Sequence, residues 1–173
     1  MSDPKASSTP PVVVLKHSDG EKAAAGHPWV YEGGILKIIG EPVDGGVVQV
    51  KDNHDHYFGT GFFNSKSKIR VRILTAARAE LDAAFFEEKI RAAIAFRQRH
   101  FPKATSYRLI NAEGDFLSGL IVDKYEDLLV LQTSSLGMDQ RKAMIVEILR
   151  KLVPCRAILE RNAISSRKFE GLA

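Results

Sequence analysis

The sequence predicts an α+β fold in two parts. Residues 12–76 read as a small β-barrel or sandwich, and residues 77–173 as a mixed α/β unit. Three observations support this reading. Short β-branched runs separated by Gly- and Asp-rich turns fill the first part, the pattern of small all-β folds. A long stretch with apolar residues at 3–4 spacing opens the second part. Strand-like runs and another helical face then alternate to the end.

The elements follow in chain order. MSDPKASSTPP (1–11) is polar, carries Ser and Pro, and has no signal-peptide apolar segment, so it reads as a disordered lead-in. PVVVLKH is a first strand. Ser18 and Glu21 have capping-box spacing, which predicts one or two helical turns over Glu21–Ala25, ended by Gly26. Pro28 forbids a return to helix. GILKIIG, GVVQVKD, HYFGTGFF and SKIRVRIL are four further strands, and Gly59 and Gly61 inside one of them mark a bulge or a close backbone approach. Past a boundary near Thr75–Arg78, Asp82 can cap a helix to His100 carried by Phe86, Ile90, Ala93, Ile94 and Arg97. SYRLINAE, GLIVDKY and DLLVLQTS read as three strands. Met144, Ile145, Ile148, Leu149 and Leu152 mark a second helix over roughly 138–152, and RAILER is a last strand.

Composition narrows the function classes. The net charge of +4 and pI of about 9.2 permit a nucleic-acid partner without requiring one. A single cysteine, Cys155, excludes an intrachain disulfide and a Cys-based zinc cage, and suits a reducing cytoplasm. No apolar run approaches the ~20 residues of a membrane span, so a membrane partner is not expected. Association into a homodimer is left open.

NSKSKIRVRIL (64–74) is the most informative stretch. Lys66, Lys68, Arg70 and Arg72 alternate with Ser67, Ile69, Val71 and Ile73. In a strand the apolar set would face a core and the cations would face water, roughly 6–7 Å apart. Such a row suits a polyanion such as RNA, or serves as a solvated edge that resists aggregation. GHPWVY adds His27, Trp29 and Tyr31, aromatic rings that can stack unpaired bases. A lone Trp after a proline turn is more often a core anchor.

Other constellations favour structural readings. Cys155 after Pro154 opens an apolar strand, where cysteine acts as a small hydrophobe. DNHDH (52–56) reads as a hairpin tip before a metal site. Glu113, Asp115 and Asp123 could share acid–base work, but their Gly-rich neighbours read as turns. No phosphate-binding loop and no G-x-G-x-x-G between strand and helix occurs, so no cofactor fingerprint is visible. The residues favour a binding module over an enzyme.

A family resemblance then enters. GHPWVYEGGI, the spacing to GVVQVKD, and FGTGFFNSKSKIRVRIL resemble the N-terminal PUA domain of a bacterial enzyme family. That family is the S-adenosylmethionine-dependent 23S rRNA cytosine-C5 methyltransferases of the large-subunit methyltransferase I type. SYRLINAEGDFLSGLIVDKYEDLLVLQ resembles the family's central segment, and ILERNAISSRKFEGL its approach to the catalytic domain, so the likeness runs from Val12 to Leu172. Ser118 stands where the family usually has proline. Asn162 and Ala163 replace a usual Ser-Asp pair, whereas Arg161, Arg167, Glu170 and Gly171 are kept.

The resemblance implies a PUA-like RNA-binding barrel over 12–76 and a central α/β domain over 77–173. It implies that the Rossmann-like catalytic domain, its S-adenosylmethionine site and its nucleophilic cysteine have no counterpart in this chain. The implied role is the RNA-recognition half of a methyltransferase with 23S rRNA as partner. The implied RNA contacts are Arg70 and Arg72, which match the family, with Lys66, Lys68, His27, Trp29 and Tyr31 beside them. The alternatives are a stand-alone PUA-type RNA-binding or ribosome-associated module, and a protein–protein adaptor.

Overall fold

The computed structural model describes residues 10–172. Most of the lead-in expected at 1–11 lies outside them. Pro11 does not extend that lead-in, because its carbonyl accepts the Gln49 N–H at 2.9 Å and so continues the sheet.

Among the described residues ten strands and four α-helices follow in order: β1 Val12–Leu15, α1 His17–Ala24, β2 Trp29–Tyr31, β3 Ile35–Ile39, β4 Val47–Lys51, β5 Tyr57–Phe63, β6 Ile69–Thr75, α2 Ala83–His100, β7 Ser106–Asn111, β8 Leu120–Tyr125, β9 Leu128–Thr133, α3 Leu136–Gln140, α4 Lys142–Leu152 and β10 Ala157–Glu160. The first six strands form one curled sheet in the order β2-β6-β5-β4-β1-β3, and the last four form a second in the order β10-β9-β8-β7. The two edges of the first sheet, β2 and β3, are joined by a 3₁₀ turn at Glu32–Gly34, with no ladder between them, so the expected barrel is an open, curled half-barrel.

Alternation explains the first core. Val13, Leu15, Val48, Val50, Phe63 and Val71 point to the concave side and are nearly sealed from solvent. Two backbones approach closely at Gly61: a Cβ there would stand 2.1 Å from the Arg72 carbonyl oxygen. The ladder between β5 and β6 shifts register between Thr60 and Gly61, the irregularity that the strand glycines predict.

The second sheet buries one face under α2 and α4. Phe86, Ile90 and Ala93 from α2 and Ile145, Ile148 and Leu149 from α4 meet Leu109, Leu120, Val122, Leu129 and Leu131. Asp82 caps α2 as expected, accepting the Phe85 N–H at 2.9 Å. Glu87 of α2 ties Lys151 of α4 at 2.9 Å.

Two helices depart from expectation. The first begins at His17, not Glu21, with Lys16 at its N-cap and no side-chain cap, so Ser18 lies inside it and makes no capping box. Gly26 still ends it, at φ 88°. The helix expected over 138–152 is split at Arg141. Its guanidinium donates to the Gly137 and Gly45 carbonyls at 2.9 and 3.0 Å and lies 4.0 Å from the Phe62 ring. The same side chain thereby joins the first sheet to the second.

The two sheets share a core. Phe62 and Leu74 leave the first sheet on its convex side and enter the cluster under α2 and α4. Phe62 stacks on Phe86 with ring centroids 6.3 Å apart. Gly137 permits the contact, since a Cβ there would stand 2.4 Å from the Phe62 ring.

Candidate nucleic-acid interface

The stretch Asn64–Lys68 is a loop, and β6 begins only at Ile69. Local side-chain bonds end the ladder there. The Asn64 side-chain oxygen accepts the Lys66 N–H at 3.0 Å, and the Ser67 hydroxyl accepts the Ile69 N–H at 3.1 Å. Short polar side chains that bond nearby backbone compete with strand pairing in this way. Lys66 and Lys68 are exposed as expected, but on a loop and not on a strand.

Within β6 the alternation holds for the apolar side. Val71 is fully buried and Ile73 packs on the same cluster. On the other side, the expectation that all the cations face water fails at Arg72, whose side chain is only 12% exposed. The second sheet's connections roof it with acids. Arg72 Nη2 donates to Glu170 Oε1 at 2.9 Å, and Nη1 lies 3.3 Å from the Ser118 hydroxyl and 3.5 Å from Glu113 Oε1. Arg72 is therefore an internal ion-pair partner, largely closed off from solvent.

Trp29 belongs to the same lock. Its Nε1–H donates to Glu113 Oε1 at 3.0 Å, and its ring lies 5.6 Å from the Arg72 guanidinium. Half-buried at the junction, Trp29 anchors the first sheet to the second sheet's connections. Ser118 donates to the same Glu113 oxygen at 2.7 Å, so the position where the family usually has proline serves the lock here.

Glu170 is the hub. It accepts from Ser67 Oγ at 2.7 Å, from Asn64 Nδ2 at 2.9 Å and from Arg72. Burial opposes its charge, but Arg72, Ser67 and Asn64 outweigh it and hold its carboxyl below the usual glutamate range. Sequence reasoning noted Glu170 only as a kept residue. The signal that could have found this pairing is an unmatched arginine on a strand that faces a neighbouring lobe.

A rim surrounds this closed centre. Arg70, 19% exposed, pairs with the exposed Glu32 at 2.5 Å. Tyr31 is exposed and meets Trp29 edge-on, with centroids 6.5 Å apart, as does exposed His27 at 6.0 Å from the other side. Lys68 adjoins this rim, since its carbonyl accepts the Glu32 N–H at 3.1 Å.

The remaining candidates are structural. Asp52 accepts the His54 and His56 N–H groups at 2.8 and 2.9 Å and closes the hairpin tip. No set of three metal-ligating side chains occurs among the described residues. Asp115 holds Arg97 through two short bonds of 2.5 and 2.6 Å, and Asp123 holds Arg108 at 2.9 Å, so these acids and Glu113 pair with different arginines. Cys155 packs against the second core.

Residues 13–76 match the PUA-like domain family. The chain is 38% identical to a ribosomal RNA large subunit methyltransferase I of Shewanella amazonensis, over 84% of this chain and 38% of that protein. It is 33% identical to that of Klebsiella pneumoniae, over 94% of this chain and 41% of that protein. Most of this chain is thus similar to a part of those methyltransferases, and that part includes the PUA-like domain. It spans about two fifths of the length of these relatives. The fold is shared with a SAM-dependent methyltransferase structure from Streptococcus mutans, at TM-score 0.74 and 20% identity over 87% of this chain and 40% of that one. A second methyltransferase structure, complexed with SAH, aligns at TM-score 0.73 and 21% identity, again over 87% of this chain and 40% of that one.

One place where an α/β fold can take a ligand such as S-adenosylmethionine is closed by the chain. The helical crossover between parallel strands runs from β9 through α3 and α4 to β10. Ligands of α/β folds approach the turn that opens such a crossover. Here that turn is filled by the chain itself: Leu136 N–H donates to Glu170 Oε2 at 3.4 Å, and Arg167 donates to the Thr133 carbonyl at 2.6 Å. Among the described residues no helix is long and apolar enough to cross a membrane.

Proposed function

We propose that this chain is the RNA-recognition half of an rRNA cytosine-C5 methyltransferase acting on 23S rRNA in the cytoplasm. Residues 12–76 grip the RNA, and residues 77–173 lead toward the catalytic domain. Methyl transfer from S-adenosylmethionine is the work of that domain, and no residue described above takes part in it.

The observation that carries the reading is the cationic rim on the PUA-like domain. Lys66 and Lys68 project from the loop, Arg70 stands beside them, and the Tyr31 and His27 rings flank the strand edge. Among the described residues neither lysine ammonium is paired with a carboxylate. Arg70 is paired only with an exposed acid, which a phosphate can displace.

The test is RNA binding across a salt series. Lys66→Glu with Lys68→Glu should weaken binding to structured rRNA fragments broadly, with the melting temperature unchanged. The slope of log affinity against log salt should drop by about 0.7–0.9 for each phosphate that the variant no longer neutralises. Equal affinity and slope in the double variant would refute the rim as the RNA-binding face.

A further inference from the structure

The rim does not stop at the edge of the PUA-like domain. The chain returns to it at a 3₁₀ helix, Ser165–Glu170. Side chains three apart eclipse in a 3₁₀ helix. Arg167 and Glu170 share one face and are both buried, Arg167 on Thr133 and Asp139 and Glu170 on Arg72. The intervening Lys168 and Phe169 are therefore turned outward, and Phe169 is 71% exposed.

This helix sits against the cationic loop. A Cβ on Gly171 would stand 2.7 Å from Lys66 Cδ, and the Asn64 and Ser67 side chains both bond Glu170. Lys66 thus lies against the turn that follows Phe169, Lys68 stands on the same loop, and Lys168 is the ring's exposed neighbour in the chain. The nearby acids are already engaged: Asp44 accepts the Ser65 N–H and hydroxyl at 2.6 and 2.9 Å, Glu32 holds Arg70, and Glu170 is buried. No ion pair to Lys66, Lys68 or Lys168 occurs among the described residues.

We infer that Lys66, Lys68, Lys168 and Phe169 form one composite site for single-stranded RNA, with Phe169 stacking an unpaired base while the lysines hold its phosphates. The site rests on the RNA reading above and extends it to the second lobe. Cations that track a backbone beside an exposed ring are what an unpaired strand needs, and a duplex gives the ring nothing to stack on. The anchoring of the helix by Arg167 and Glu170 holds the ring in place before RNA arrives.

The test uses two labelled probes, an RNA hairpin with an unpaired pyrimidine loop and a fully paired RNA duplex. Phe169→Ala should weaken hairpin binding roughly tenfold or more, within the span of one base stack. Phe169→Tyr should restore it. Duplex binding and the salt slope should not move, because the same phosphates stay neutralised. Lys168→Glu should lower the salt slope for both probes. If the parent chain binds the hairpin and Phe169→Ala binds it equally, the composite site is wrong and the PUA-like rim stands. If the parent chain binds neither probe in a salt-dependent way, the RNA reading fails and this site fails with it. Melting curves check that the exposed substitutions leave the fold intact.

Discussion

Removing the Arg72 side chain strands Glu170. The carboxylate has only 5% of its side chain exposed, and its other donors, Ser67, Asn64 and the Leu136 N–H, are neutral. Breaking a buried pair from one side costs about 3–5 kcal/mol, because the remaining charge is left without its counterion. Arg72→Ala should therefore lower unfolding free energy by about that amount in urea titrations, and Glu170→Gln, which keeps hydrogen-bonding capacity, by less. The pair also sets an acid limit. Glu170 titrates lower in the folded chain than an ordinary glutamate. Its contribution is complete above the unfolded value and is lost as pH falls through the folded one. The parent chain should lose stability over that window, and Glu170→Gln should lose less. Parallel pH–stability curves would contradict the assignment.

At the scale of elements, the β5–β6 pair depends on the absence of a side chain at Gly61. A methyl group would meet the Arg72 carbonyl and the Ile73 Cα, both backbone atoms that cannot rotate away. Gly61→Ala should cost about 1–3 kcal/mol, as overpacking does, and should raise amide exchange along β6 more than along β8. Equal protection in both strands would argue against a local opening. This close approach was legible in the sequence, because glycines inside a strand pattern have few other uses. The cap and face of α2 and the apolar face of α4 were legible because their signals lie within a few positions of each other, whereas the break at Arg141 was not. The partners of Arg72 were not. Glu170 lies 98 residues away, and alternation along β6 tells only that Arg72 leaves the PUA-like core, not whether water or another lobe lies beyond. The loop at Asn64–Lys68 reads as strand in the sequence because the alternation of charge continues through it, while Asn64 and Ser67 divert the backbone.

At the scale of the whole molecule, the question is whether the two sheets unfold as one. Phe62 belongs to β5 of the first sheet, yet it lies in the second core, stacked on Phe86, covered by Arg141 and touching Gly137. Leu74 makes the same crossing from β6. A fully buried side chain shared between two cores couples their stabilities, and the Arg72–Glu170 pair adds a polar link at the same seam. The parent chain should therefore melt in a single calorimetric transition whose measured and van't Hoff enthalpies agree. Phe62→Ala removes the aromatic bridge at a cost of about 3–5 kcal/mol and should resolve the melt into two steps. Two transitions in the parent chain would mean that the lobes are independent. The orientation of the lysine loop toward Phe169 would then be a matter of chance encounter and not of a shared core.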